Sequence, residues 1–103
     1  MLSEVATRQN ELHSLCEKYD VLTLDLFGSA ATGEGYDERR SDLDFLVDFA
    51  PSERMGPADQ YFGLLADLQD LFERDVDLVT ARSLRNRFFI ASVDATRRRL
   101  YAR

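Results

Sequence analysis

The stretch Phe27–Phe49, FGSAATGEGYDERRSDLDFLVDF, decides how the rest of the chain is read. Gly28-Ser29 closes one apolar run, and after a polar loop Asp42 and Asp44 open another. Two carboxylates one residue apart on an extended strand project on the same face, with Cα atoms about 6–7 Å apart. That spacing suits the gripping of divalent cations. A small turn whose backbone amides approach a phosphate, facing such a pair, is what metal-dependent phosphoryl or nucleotidyl transfer requires.

Working outward, residues 21–27 (VLTLDLF) alternate as a strand, with Leu22, Leu24 and Leu26 on one face and Val21, Thr23, Asp25 and Phe27 on the other. Asp25 is the odd residue there, and it is read as a polar strand-edge position or one beside an arginine. Gly28-Ser29-Ala30-Ala31-Thr32 begins a helical turn that stops at Gly33. After the polar loop Glu34–Arg40, a strand over Leu43–Phe49 sets Asp42, Asp44, Leu46 and Asp48 on one face. Leu43, Phe45, Val47 and Phe49 take the other. Pro57 suits the first turn of a helix over 58–73, which buries Tyr61, Leu64, Leu65, Leu68, Leu71 and Phe72 and leaves Asp59, Asp67 and Asp70 as a solvated face.

A third strand, Val76–Thr80, carries Asp77 among apolar neighbours. The last helix is expected over Asn86–Tyr101, with Phe89, Val93, Thr96 and Leu100 buried and Arg97-Arg98-Arg99 on a solvated face. Tyr101 is read as a core or helix-end residue. Upstream, residues 3–19 form a helix capped by Ser3, its buried stripe running through Leu2, Val5, Leu12, Leu15, Cys16 and Tyr19. His13 and Cys16 lie on that helix without a catalytic partner and are read as structural. The expected fold is therefore α/β (α+β), one domain over 1–103, a small three-stranded mixed sheet flanked by about four helices in the order α-β-α-β-α-β-α.

A four-turn helix between the second and third strands is long enough for a parallel crossover, which puts Asp44 and Asp77 at corresponding strand ends. A shorter link permits the first strand to run antiparallel to the second, so the Gly28-Ser29 turn arrives beside Asp42. Three carboxylates gathered without a counter-ion repel one another and raise each other's pKa values. Divalent cations remove that conflict. Two ions about 3.5–4 Å apart would polarise a phosphate, stabilise leaving pyrophosphate and activate an acceptor hydroxyl. No Ser-His-Asp or Cys-His set is available for acyl transfer.

Composition narrows the chemistry further. With one cysteine and one histidine among 103 residues, intrachain disulfides and cysteine-based zinc sites are excluded, so a metal must be held by oxygen, as Mg²⁺ or Mn²⁺. The net charge of −6 is unevenly spread: residues 1–81 carry 6 basic and 18 acidic side chains, residues 82–103 carry 7 and 1. An acidic body argues against general nucleic-acid binding. The basic segment suits the chain's own acidic body, a nucleotide's phosphates or an acidic partner. Nothing has the form of a signal peptide or membrane span, and a cytoplasmic location is expected.

The order of these motifs resembles the DNA polymerase β-type nucleotidyltransferase superfamily, above all its minimal nucleotidyltransferases that serve as antitoxins to HEPN toxins. GSAATGEGYDERRSDLDFLVDF is similar to the family's Gly-Ser/Asp-x-Asp signature, VDLVT to its third-carboxylate strand, and FFIASVDATRRRLYAR to its closing helix. The resemblance implies that Gly28 and Ser29 contact the triphosphate, that Asp42 and Asp44 are metal ligands, and that Asp77 is the third carboxylate, helping to position or deprotonate the acceptor. It implies ATP as substrate with Mg²⁺, two ions in the usual form, or Mn²⁺. Against the family pattern, the loop Gly35–Arg40 is extended, and no arginine stands near Thr32; Arg39 or Arg40 either replaces that phosphate contact or lies exposed on the longer loop.

Larger members of the superfamily add domains for the acceptor, so the resemblance implies an acceptor on a partner: a tyrosine hydroxyl of a HEPN-type RNase toxin, silenced by AMP in a hetero-oligomer. Two alternatives stand beside it. One is an antitoxin that acts by complex formation alone, and the other transfers nucleotide to a small molecule.

Overall fold

The computed structural model describes residues 3–33 and 42–103. The expected loop 34–40, Arg39, Arg40, Leu2 and the capping side chain of Ser3 lie outside the described residues. In chain order the elements are α1 (Ser3–Ala6), α2 (Gln9–Lys18), β1 (Val21–Phe27), α3 (Ser29–Thr32), β2 (Leu43–Phe49), α4 (Pro57–Phe72), β3 (Val76–Thr80), a 3₁₀ turn (Ala81–Ser83), α5 (Arg87–Thr96) and β4 (Arg98–Ala102). The four strands form one mixed sheet in the order β3-β2-β1-β4. β1 runs antiparallel to β2 and β4, and β2 runs parallel to β3 across the α4 crossover, as the strand order required.

Alternation along the strands builds two unequal faces. Leu24, Leu26, Leu43, Phe45, Val47, Leu78 and Leu100 are buried in the main core with Leu12 and Cys16 of α2 and Leu64 and Leu68 of α4. Phe45 stacks on Phe72 with ring centroids 6.0 Å apart. Each such side chain contributes about 1.5–3 kcal/mol by leaving water. Among the described residues the other face holds only Phe27, Leu46 and Val93 as buried apolar residues, so it is thinly covered by α5, and Asp42 and Asp77 at its end are exposed.

Polar ties set how α4 lies on the sheet. The Gln60 side chain is buried and its Nε2 donates to the carbonyls of Tyr19 (2.9 Å) and Ala50 (2.8 Å), while the Tyr61 hydroxyl donates to the Leu78 carbonyl at 2.6 Å. Pro57 occupies the first turn of α4, where its missing N–H costs no hydrogen bond.

Several expectations are corrected. The helix read over 3–19 is interrupted between Ala6 and Gln9, where the Arg8 amide donates to the Val5 carbonyl and the Thr7 hydroxyl to the Glu4 carbonyl. A register shift between Val21 and Thr23 turns Val21 onto the core face with Leu24, away from Phe27. Asp67 is not simply solvated, since it accepts from the Tyr19 hydroxyl (2.5 Å) and Lys18 Nζ (3.0 Å).

The largest difference concerns the C-terminal segment: the expected helix 86–101 ends at Thr96, and Arg98–Ala102 is a fourth strand. The cause is Asp25. This carboxylate is 1% exposed on β1, and it accepts from Arg97 Nη2 at 2.8 Å and Arg99 Nε at 2.5 Å. A buried charge of this kind must be paired. Extended backbone carries Arg99 to the register position opposite Asp25, while Leu100 turns into the core. Asp25 thus stands beside arginines, as its isolation in an apolar strand suggested, and the arginines are not a solvated helix face.

Candidate active site

The C-terminal end of β1 and the N-terminal ends of β2 and β3 meet at one end of the sheet. There Asp44 is the register partner of Phe27 on one side and of Asp77 on the other. Asp42 lies just ahead of β2 and is exposed, as is Asp77, whereas Asp44 is half-buried between them. Ser29 opens α3 directly after Gly28. The sheet therefore brings Gly28, Ser29, Asp42, Asp44 and Asp77 to one place.

Gly28 adopts φ 75° and ψ −155°, a region open essentially to glycine alone. A Cβ at this position would lie 2.6 Å from Asp44 Oδ2. Glycine is thus needed twice here, for the backbone angle and for the approach of the Asp44 carboxylate. The Gly28 amide donates to Thr96 Oγ1 at 2.8 Å, and its carbonyl accepts from the amides of Ala31 (3.1 Å) and Thr32 (3.4 Å), which starts α3.

Charge dominates the site. Burial first, then the charges of Asp77 and Asp42, push the Asp44 carboxyl up to about 6. No basic side chain among the described residues enters that balance. Among the described residues no three His, Cys, Asp or Glu side chains are closed up to enclose an ion, so the aspartates stand as an open row. Their donor chemistry nevertheless fits hard divalent cations. Carboxylate oxygens in a thinly covered, acidic setting are what Mg²⁺ or Mn²⁺ takes, and Asp42, Asp44 and Asp77 would hold it.

Residues 10–103 match the family profile described as polymerase beta, nucleotidyltransferase. The chain belongs to the polymerase β-type nucleotidyltransferases. A candidate protein adenylyltransferase of Methanocaldococcus jannaschii is 36% identical to this nucleotidyltransferase over 81 residues, which are 78% of this chain and 77% of that one. A solved candidate minimal nucleotidyltransferase superposes with a TM-score of 0.72 at 28% identity, over 90% of this chain and 89% of the other. A chain from the complex of a tri-AMPylated Shewanella oneidensis HEPN toxin with its MNT antitoxin superposes with a TM-score of 0.65 at 21% identity, over 96% and 73%. At that identity the likeness concerns the fold.

Two participants escaped the sequence reading. Thr96, assigned to the buried stripe of the last helix, serves as the acceptor for the Gly28 amide. Arg97, assigned to a solvated face, fastens the end of α5 to β1 through Asp25. For Arg97 the signal was present, since an aspartate inside an apolar strand calls for a cation elsewhere in the chain.

Proposed function

We propose that this nucleotidyltransferase moves AMP from ATP onto a hydroxyl, specifically a tyrosine hydroxyl, of a cognate HEPN-type RNase toxin, and so acts as its antitoxin in the cytoplasm. The observation that carries the reading is the row Asp42, Asp44 and Asp77 beside the Gly28-Ser29 turn, acidic enough to hold the Asp44 carboxyl up to about 6. The names of its relatives point the same way: a protein adenylyltransferase, and an antitoxin bound to an AMPylated toxin. A further toxin–antitoxin structure of this fold is described with AMP-PNP, at 24% identity and a TM-score of 0.68.

In this mechanism the turn that begins with Ser29 contacts the triphosphate, and the missing Cβ at Gly28 lets that turn and the Asp44 carboxylate come close together. Asp42 and Asp44 bind Mg²⁺, with Asp77 as a third ligand; the metal, when bound, supplies charge stabilisation for the phosphates and for the leaving pyrophosphate. Asp77, exposed on the neighbouring strand, orients the acceptor hydroxyl and takes its proton as the oxygen attacks the α-phosphorus. The bond to pyrophosphate breaks as the bond to the tyrosine oxygen forms.

The acceptor arrives on another protein, and α5 offers it a surface. Phe88 is 75% exposed with the Arg87 guanidinium 5.3 Å from its ring centroid, and Phe89, 39% exposed, packs edge-on against Phe27 next to the site. The same surface favours a second reading, neutralisation by binding alone. Incubating the purified complex with labelled ATP and Mg²⁺ and weighing each chain tests both. Mass gained by the toxin, and lost in the Asp42→Asn/Asp44→Asn variant together with neutralisation, is the expected result. Neutralisation and labelling unchanged in that variant would remove the enzymatic reading.

A further inference from the structure

We propose that Thr96 is a positioning residue for nucleotide binding, its hydroxyl on α5 fixing the peptide of Gly28 and through it the phosphate-facing turn. The inference rests on the adenylyl-transfer reading of the site.

Both polar groups of Gly28 are used inside the fold: its amide donates to Thr96 Oγ1, and its carbonyl begins α3. The tilts of the two peptides that flank Gly28 therefore set where α3 and Ser29 point. Nothing intrinsic to glycine holds φ at 75°, because glycine populates both signs of φ about equally. The restraint must come from outside. Thr96 supplies it and is itself immobilised, since its hydroxyl hydrogen is directed to the carbonyls of Ser92 (3.3 Å) and Val93 (3.4 Å), leaving the oxygen free to accept from Gly28. The next residue, Arg97, is bonded to the buried Asp25 of β1 and to Asp94. The end of α5 is thus pinned to β1, the strand that runs into Gly28.

It follows that the Gly28 amide is not a phosphate donor. Gly28 contributes shape and direction, and the turn that begins with Ser29 contributes the contacts. The clearance is small, since Asp44 Oδ2 lies where a Gly28 Cβ would be crowded at 2.6 Å. A turn released from Thr96 would lose its alignment with the aspartates.

The test is titration calorimetry of the purified chain with Mg²⁺ and AMP-PNP, at a temperature where every variant is folded. Thr96→Val keeps the shape and removes the acceptor; it should weaken AMP-PNP binding roughly tenfold, the loss of about one hydrogen bond's worth of positioning. Thr96→Ser keeps the hydroxyl and should bind within about twofold of the wild type, a rescue that a purely packing role for the Thr96 methyl would not give. Amide NMR of the wild type gives a readout independent of any variant. The Gly28 N–H should stay protected from exchange with and without AMP-PNP.

If nucleotide frees the Gly28 amide, or if Thr96→Val binds as tightly as the wild type, the positioning role is overturned while the enzymatic reading stands. If the wild type binds no Mg²⁺–AMP-PNP at all, the proposed function falls and this inference falls with it.

Discussion

Asp44→Asn should stabilise the metal-free protein while abolishing its response to Mg²⁺. In the folded chain the Asp44 carboxyl is pushed up to about 6 from an ordinary 3.8, by burial and by the charges of Asp77 and Asp42. A carboxyl raised on folding prefers its proton in the native state, so the penalty is absent below the unfolded value, grows through the interval between the two, and is complete above pH 6. A shift of about two pH units has a ceiling of roughly 3 kcal/mol. Asp44 is only half-buried, and discounting for solvent and salt leaves about 1 kcal/mol.

Asparagine cannot ionise and escapes this penalty. In urea or thermal denaturation without metal, the stability of Asp44→Asn relative to the wild type should rise by about 1 kcal/mol between pH 4 and pH 7.5, or about 4 °C or more in Tm for a domain of this size. Using the change with pH cancels any constant difference in packing between Asp and Asn. Added Mg²⁺ should then raise the Tm of the wild type and leave that of Asp44→Asn unmoved. A relative stability that is flat or falls across this interval would refute the electrostatic account of the site. So would an equal Mg²⁺ response in the two proteins.

Three other substitutions probe separate parts of the argument. Gly28→Ala should cost about 1–3 kcal/mol from the disallowed backbone angle alone, with further loss from the Asp44 clash, and should eliminate AMP transfer; denaturation and mass-shift assays read the two effects. Asp25→Asn leaves Arg97 and Arg99 without their carboxylate and should destabilise by about 2 kcal/mol, less than for a fully buried pair because both arginines reach solvent; urea denaturation measures it. Phe88→Ala should change stability by less than about 0.5 kcal/mol yet weaken toxin binding at least tenfold, as measured by calorimetry with the purified toxin.

The three strands that build the site were legible because each is an apolar alternating run with a clear stop, and their bounds at 21–27, 43–49 and 76–80 are those of the folded chain. The crossover and the meeting of Asp44 with Asp77 followed from connection lengths. The fourth strand was hidden for a physical reason. Arg98-Arg99-Leu100-Tyr101-Ala102 is composed largely of good helix formers, no Gly or Pro separates it from α5, and its extended state is fixed by Asp25 and by pairing with β1. Local propensity cannot report a partner so far away in sequence. The Thr96–Gly28 contact was hidden in the same way, because a threonine on an apolar helical stripe looks like packing until the turn it meets is known.

The pairing of Asp25 with Arg97 and Arg99 also governs the order in which the chain can be completed. The partners stand 72 and 74 positions apart in sequence. During synthesis β1 emerges long before the arginines that neutralise it, so a sheet of β1, β2 and β3 alone would end in an open edge strand, β1, that carries an unpaired aspartate. The last strand is therefore a closing step, and the nascent chain should remain open to proteases until it arrives. Because the same segment adjoins Thr96, the event that seals the fold also sets the turn at Gly28, and a half-made chain would carry its aspartates without an aligned nucleotide site.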